Sequence, residues 1–289
     1  MRSLDKLINP HKFSKCVNKM RQFFLEKNFV EVPTQASVNI LAACEDPETI
    51  STFNFANNVY PLPQTGQMWL ETALLENPHY DGVFCQSYSF RDEPNPIEGR
   101  HERLFPMFEF EGKGGIDDLA QTSTELLEYL GFSKEDVEFP SGNYVEIAEE
   151  MKTVEIENEH EAKLCEQHGP VYFLKNFPEH TSPFWNMKMD METGIANKID
   201  VIIHGMETIG SAERSTDKED MRFQFESISN GGYAFKLYEH FGEERVRNEL
   251  EKYLEYFDDN DDGWDKRRYG AGIGVTRMMR GMELSGLLD

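Results

Sequence analysis

Two stretches decide the fold: Val83-Phe84-Cys85-Gln86-Ser87-Tyr88-Ser89-Phe90-Arg91-Asp92-Glu93 and Phe105-Pro106-Met107-Phe108-Glu109-Phe110-Glu111. Each alternates with the period of two expected of a β-strand, and residues 94–104 between them carry Pro94, Pro96 and Gly99, which punctuate a loop. The pair reads as a long-looped antiparallel hairpin. Successive strand side chains point to opposite faces, so Arg91 and Glu93 share a face of the first strand, and Phe105, Met107, Glu109 and Glu111 share a face of the second. A face of that kind, with Arg100 and His101 on the loop, can hold a nucleoside triphosphate. Arginine pairs with phosphate, phenylalanine stacks on the base, and glutamate reads an amino group or holds a metal. The same spacing also fits a solvated sheet face with ordinary cross-strand ion pairs.

Outward from the hairpin, helices and strands interleave irregularly. Asn9-Pro10 reads as a helix cap followed by a first-turn proline, and Phe13, Val17, Met20 and Phe24 recur at helical spacing until Asn28 ends the helix. Residues 29–32 form a short strand closed by Pro33. Residues 117–130 read as helix, 171–176 and 198–204 as strands, and 243–257 as a helix with Val246, Leu250, Leu254 and Phe257 on one face. There is no internal repeat, low-complexity segment or Gly/Ser-rich linker. The 289 residues therefore predict a single α+β domain, 1–289, with an antiparallel sheet flanked by helices.

Composition narrows the functional classes. With 29 basic and 53 acidic residues the net charge is −24, a surface that repels polyanions. The candidate basic patches are small: Lys266, Arg267 and Arg268, and the pair Arg277 and Arg280. No apolar run is long enough to span a bilayer and the N-terminus lacks the apolar core of a signal peptide, so the expectation is a soluble, cytoplasmic protein with no membrane partner. Cys16, Cys44, Cys85 and Cys165 show no CxxC spacing and give no basis for a disulfide framework or a structural zinc site.

The C-terminal run Gly270-Ala271-Gly272-Ile273-Gly274-Val275-Thr276-Arg277 sets glycines at alternate positions ahead of a helix that carries an arginine. Backbone can approach a ligand there, and a tight turn is the plainer alternative. Taken together with the hairpin and the first helix, this run resembles the class II aminoacyl-tRNA synthetases, specifically the subgroup for aspartate, asparagine and lysine. Residues 24–35 look like the dimer-forming motif 1, Phe90-Arg91-Asp92-Glu93 through Arg100-His101 to Glu111 like motif 2, and Gly270 to Arg277 like motif 3. Asp200-Val201-Ile202-Ile203-His204-Gly205-Met206-Glu207 and the following Gly210 to Arg214 resemble the segment in which that subgroup places two metal-binding acids and a substrate-reading arginine.

The resemblance implies roles. Arg91 holds the ATP α-phosphate, Arg277 the γ-phosphate, and Phe105 stacks beneath adenine. Arg100 and His101 close over the phosphates, Glu93 and Gly274 complete the nucleotide site, and Asp200 and Glu207 bind Mg²⁺. Thr65-Gly66-Gln67-Met68-Trp69-Leu70-Glu71 resembles the asparaginyl form of a segment in which aspartyl enzymes carry a lysine, here Leu70. Glu71 would then accept from a carboxamide while Arg214 donates to its oxygen, and Glu45 and Gln67 would bind the substrate α-ammonium. Three departures stand out. Motif 1 ends Pro33-Thr34-Gln35 rather than in Thr-Pro, Leu104 replaces the glutamate before the stacking Phe, and the predicted first helix near residue 10 leaves no room before it for an anticodon-reading barrel. The resemblance implies a homodimeric enzyme that forms an aminoacyl-adenylate from ATP and asparagine or aspartate. Asparaginyl transfer to tRNA leads; amidation of aspartyl-adenylate by ammonia and a non-catalytic paralogue are the alternatives.

Overall fold

A computed structural model describes residues 8–34, 40–41, 47–97, 102–133, 138–258 and 263–288. In chain order the elements are α1 (Pro10–Glu26), β1 (Val30–Glu31), β2 (Thr52–Phe55), β3 (Asn58–Pro61), α2 (Gln67–Glu76), β4 (Gly82–Phe90), β5 (Leu104–Lys113), α3 (Ile116–Leu130), β6 (Ser141–Asn143), α4 (Tyr144–Met151), α5 (Asn158–His168), β7 (Val171–Pro178), β8 (Met189–Asp190), β9 (Ile195–Ile203), β10 (Glu207–Glu213), α6 (Lys218–Ser227), α7 (Gly232–Phe241), α8 (Glu243–Leu254), β11 (Arg268–Gly274) and α9 (Val275–Leu284). Among the described residues nine strands form one sheet in the order β1-β4-β5-β11-β10-β9-β7-β6, with β8 added on β9. All pairings are antiparallel except β1 with β4 and β6 with β7. Strands β2 and β3 make a separate hairpin. Among the described residues no helix is long and apolar enough to cross a membrane.

Helix α1 starts as its sequence predicts: the Asn9 side chain accepts from the amides of His11 and Lys12, satisfying two donors that the first turn cannot. At its other end Asn28 adopts φ +62°, and the amide of Phe29 closes back on the Phe24 carbonyl at 2.9 Å. Phe24 then anchors the principal core, its ring 4.6 Å from Phe110 and 5.7–5.8 Å from Phe108 and Phe84. These three rings come from the inner faces of β4 and β5, where Phe84, Phe108 and Phe110 are at most 1% exposed. The same core takes Leu126 and Leu130 from α3, Ile199, Val201 and Ile203 from β9, and Met278 and Met282 from α9. Val17, Met20 and Phe24 are all consumed by this internal core, so they are not the surplus apolar face that a dimer contact would use. A second core gathers Trp185, Phe225, Tyr233 and Tyr253 with α6, α7 and α8, and a third packs α4 and α5 on β7.

The hairpin is in place, with β4 ending at Phe90, three residues short of the expected Glu93, although Arg91 continues the ladder through its amide to the Arg103 carbonyl at 2.8 Å. The glycine run is a strand, not a turn. Strand β11 lies between β5 and β10 in register Gly270↔Glu111 and Gly272↔Glu109 on one side, and Gly270↔Ala212 and Gly272↔Gly210 on the other. The residues 243–257 predicted as one helix divide into α8 and a short 3₁₀ turn, Glu255–Phe257.

Candidate active site

A cleft of about 600 Å³ opens on the sheet face opposite the principal core, a size typical of small-ligand sites. The register of the central strands explains its shape. One cross-strand row runs Asp200, Gly210, Gly272, Glu109, and the next runs Lys198, Ala212, Gly270, Glu111. Both rows have charged side chains at the ends and glycine or alanine between, so a trough runs across the sheet where backbone itself is the floor. The glycines are required by close approach: a Cβ on Gly270 would overlap the Glu111 carboxylate, and one on Gly210 would lie 3.0 Å from Glu207 Oε1.

Arg91, Glu93, Phe105, Gln67, Arg214, Glu207, Gly274 and Arg277 all line this cleft, and Asp200 lies buried beneath it. Arg91 sits with its guanidinium 5.9 Å from the centre of the half-buried Phe105 ring, a cation–π distance that fixes both groups on the cleft wall. Gly274 caps α9 at the cleft and Arg277 lies in the first turn, where its Nη1 donates to the Glu207 carbonyl at 2.7 Å and stands 3.8 Å from Glu207 Oε2. Glu45, Arg100 and His101 lie outside the described residues.

Asp200 is 7% exposed, and its Oδ2 accepts from Lys198 Nζ at 2.6 Å while Oδ1 has no hydrogen-bond partner. Burial pushes its carboxyl up to about 7; Lys198 opposes the shift and nearby Glu207 reinforces it. The two acids converge over Gly210. Among the described residues no group of three or more His, Cys, Asp or Glu side chains is arranged for a metal. Two carboxylates with one unpartnered buried oxygen do fit Mg²⁺, which commonly takes one or two protein carboxylates and completes its shell with phosphates and water.

The amino-acid end of the cleft corrects one expectation. Glu71 does not reach the cleft: it is fully buried behind the wall, and its carboxylate is saturated by donors. Gln67 Nε2 donates at 2.7 Å, Asn186 Nδ2 at 2.7 Å, Tyr253 OH at 2.6 Å, and Arg268 through Nε at 2.9 Å and Nη2 at 2.5 Å. Arg214, expected to pair with Glu71, stands 3.7 Å from it and bonds Glu111 instead, through Nη2 at 2.6 Å and Nε at 3.2 Å. Glu111, not Glu71, brings a carboxylate to the cleft wall. Burial would raise Glu71, but Arg268 and Arg214 outweigh it and hold the carboxyl below its ordinary value. For Glu111 burial wins over Arg214, with Glu71 adding to it, and the carboxyl is pushed up to about 7. Arg268 is fully buried in this network and so drops out of the surface basic patch read with Lys266 and Arg267.

Glu109, on the same strand face, is also drawn into support. Its carboxylate accepts from the Gly66 amide at 2.9 Å, from Thr65 Oγ1 at 2.5 Å and from Ser87 Oγ, which clamps the turn that starts α2 and presents Gln67. The sequence reading assigned no site role to this clamp, to Asn186, Tyr253 or Lys198, or to Arg268, which it placed only in a basic patch. Arg268 stood next to the glycine run that was recognised; Asn186 and Tyr253 reach the site from segments with no local signal of a ligand.

The architecture is shared with solved class II synthetases. Asparaginyl-tRNA synthetase from Pyrococcus horikoshii complexed with asparaginyl-adenylate superposes with a TM-score of 0.75 at 20% identity, covering 96% of this chain and 64% of that one. Asparaginyl-tRNA synthetase from Entamoeba histolytica in complex with asparaginyl-adenylate gives 0.71 at 15%, covering 95% and 63%. A putative aspartyl-tRNA synthetase from Leishmania major gives 0.72 at 16%, covering 96% and 62%. The chain thus spans a little under two thirds of the length of these structures. The chain belongs to the class II tRNA synthetases of the D, K and N group, whose family model matches residues 7–283. Among curated proteins, none matches it.

Proposed function

We propose that this chain activates asparagine with ATP, forming asparaginyl-adenylate and pyrophosphate, and passes the asparaginyl group to tRNA. One observation carries the choice of amino acid. At the amino-acid end the cleft wall holds Arg214 paired with Glu111, and behind it lies the fully buried pair Arg268 and Glu71. A carboxylate side chain entering beside Glu111 meets an arginine that is already paired, plus a like charge once Glu111 is ionised above about pH 7. A carboxamide can donate its NH₂ to Glu111 and accept from Arg214 at its oxygen, so both partners remain satisfied. Gln67 supports the orientation: it lines the cleft with its Nε2 hydrogens taken by Glu71 and Asn186 at 2.7 and 3.1 Å, which leaves its carbonyl oxygen as the acceptor we assign to an α-ammonium.

In the reaction so proposed, a substrate α-carboxylate oxygen attacks the α-phosphorus of ATP, a P–O bond to that oxygen forms, and the bond to pyrophosphate breaks. No protein group needs to move a proton. The work is positioning and charge: Arg91 lies where negative charge grows on the α-phosphate, Phe105 offers a ring face to the base, and Arg277 at the start of α9 meets the outer phosphates. Asp200 and Glu207 are the residues that would hold Mg²⁺, which supplies positive charge to the triphosphate. We also propose a homodimer. Its support is the edge strand β1, where Val30 is 37% exposed, together with Leu25 on α1 at 48%.

The test is amino-acid-dependent pyrophosphate exchange with asparagine and aspartate, followed by mass spectrometry of products formed with tRNA or ammonia. Exchange driven by asparagine and asparaginyl-tRNA as product are expected. Free asparagine formed from aspartate, ATP and ammonia would overturn the acceptor and the amino acid together, and absence of exchange with either amino acid would overturn the activity. Sedimentation as a monomer at micromolar concentration would remove the dimer.

A further inference from the structure

Lys198 has no assigned role, yet it lies inside the cleft beside the acid pair. Strand β9 alternates, so Lys198, which lines the cleft, and Asp200, buried beneath the lining beside Gly210, point to the same face while Ile199 and Val201 enter the core. The ammonium is held from two sides. It lies 2.6 Å from Asp200 Oδ2 and 3.8 Å from the centre of the Phe177 ring, and its side chain is only 21% exposed. A lysine on a solvated strand would move freely; this one is fixed by a carboxylate and an aromatic face in a half-desolvated wall, where a cation–π contact gains strength. Across Gly210 lies Glu207, and the second oxygen of Asp200 is buried without a hydrogen-bond partner.

We propose that Lys198 is a resident cation of this acid pair: it occupies one oxygen of Asp200 and sets the pair's affinity for a divalent ion low, so that a divalent ion is retained only with the negative charge of the triphosphate beside it. Two carboxylates facing each other without a cation would draw a divalent ion by themselves. Asp200, Glu207 and Lys198 together carry one negative charge, with Arg277 3.8 Å from Glu207 Oε2 and the Glu161 carboxylate at the Glu207 amide offsetting each other around them, so an incoming ion meets Oδ1 and Glu207 against the repulsion of Nζ. The inference rests on the reading of Asp200 and Glu207 as the divalent-cation residues, and it concerns the chain without nucleotide.

Mn²⁺ binding by the nucleotide-free protein, followed through the electron paramagnetic resonance signal of the free ion, tests it. Lys198→Met and Lys198→Gln should bind one Mn²⁺ at least roughly tenfold more tightly than the wild type, a change of the order expected when one nearby positive charge is removed from a partly buried site. Lys198→Arg keeps the charge and should bind as weakly as the wild type. Adding Asp200→Asn to Lys198→Met should abolish the gain. Wild-type affinity in both Lys198→Met and Lys198→Gln would overturn the proposal, as would tight binding by Lys198→Arg, because the effect would then come from altered packing. Pyrophosphate exchange measured on the wild type separates the outcomes: exchange with asparagine alongside unchanged Mn²⁺ affinity in the variants sinks this inference alone.

Discussion

Glu71→Gln should destabilise the protein more than it alters substrate binding, because the structure makes Glu71 the counter-ion of a fully buried arginine. Arg268 donates to Glu71 Oε2 through Nε and Nη2, and neither side chain has any exposure. The substitution keeps the volume and one acceptor but removes the charge, leaving Arg214 and Arg268 against Glu111 alone and setting an NH₂ group among the donors Gln67, Asn186 and Tyr253. Breaking a buried pair by removing one partner costs about 3–5 kcal/mol. At about 2.1 cal/mol/K of unfolding entropy per residue, a chain of this length has an unfolding entropy of about 0.6 kcal/mol/K, so the midpoint should fall by about 5–8 °C. Thermal unfolding by circular dichroism reads this directly. Arg268→Met should lose a comparable amount, while the double variant, in which no buried charge is stranded at this pair, should recover at least half of the summed loss. A wild-type midpoint for Glu71→Gln, or losses that simply add in the double variant, would refute the reasoning and return Glu71 to the substrate.

Arg91→Ala and Arg277→Ala should each lower asparagine-dependent exchange by about 10²–10³-fold, the usual loss on removing one preorganised charge-stabilising donor, with the unfolding midpoint unchanged; activity within a few-fold of wild type in either would remove that residue from the site. Glu111 gives a pH signature. Its folded value is raised to about 7 from 4.5, so the folded chain holds a proton that the unfolded chain releases. The stability this contributes is complete below pH 4.5 and is lost as pH rises through about 7. Urea midpoints should therefore fall less between pH 5 and 8 in Glu111→Gln than in the wild type, and parallel slopes would count against it. Gly270→Ala should break the Glu111–Arg214 pair, since the added methyl overlaps the Glu111 carboxylate; unaltered asparagine binding and stability in that variant would show that the strand can shift to accept it.

What was legible in the sequence follows the range of each signal. The cap at Asn9, the stripe Val17, Met20 and Phe24, and the alternation of 83–93 and 105–111 are local patterns with periods fixed by backbone geometry, and each appears as a regular element. The hairpin face placed Arg91, Glu93, Phe105, Met107, Glu109 and Glu111 together because strand side chains alternate whatever lies next to them, and all six line the cleft. The short elements α4 to α7 were not visible, as their few apolar positions are divided between two smaller cores, α4 and α5 in one and α6 and α7 in the other.

Pairing was decided only by the tertiary structure. Glu71 and Arg214 both read as substrate residues, and nothing in the chain near either one tells which partner it takes. Arg268 lies 197 residues from Glu71 and Glu111 lies 103 residues from Arg214, so the partners were chosen by the register of β5, β11 and β10 and by the depth at which α2 docks. Glycines 270 and 272 carry the same lesson: alternate glycines admit a turn or a strand, and only neighbours on both sides, whose amides and carbonyls complete the ladder, made them the floor of a cleft. The sequence by itself determined which side chains share a face, because that depends on backbone geometry within one element. The structure determined which of them face a ligand and which face each other, because a buried charge is placed by whatever partner long-range packing delivers to it.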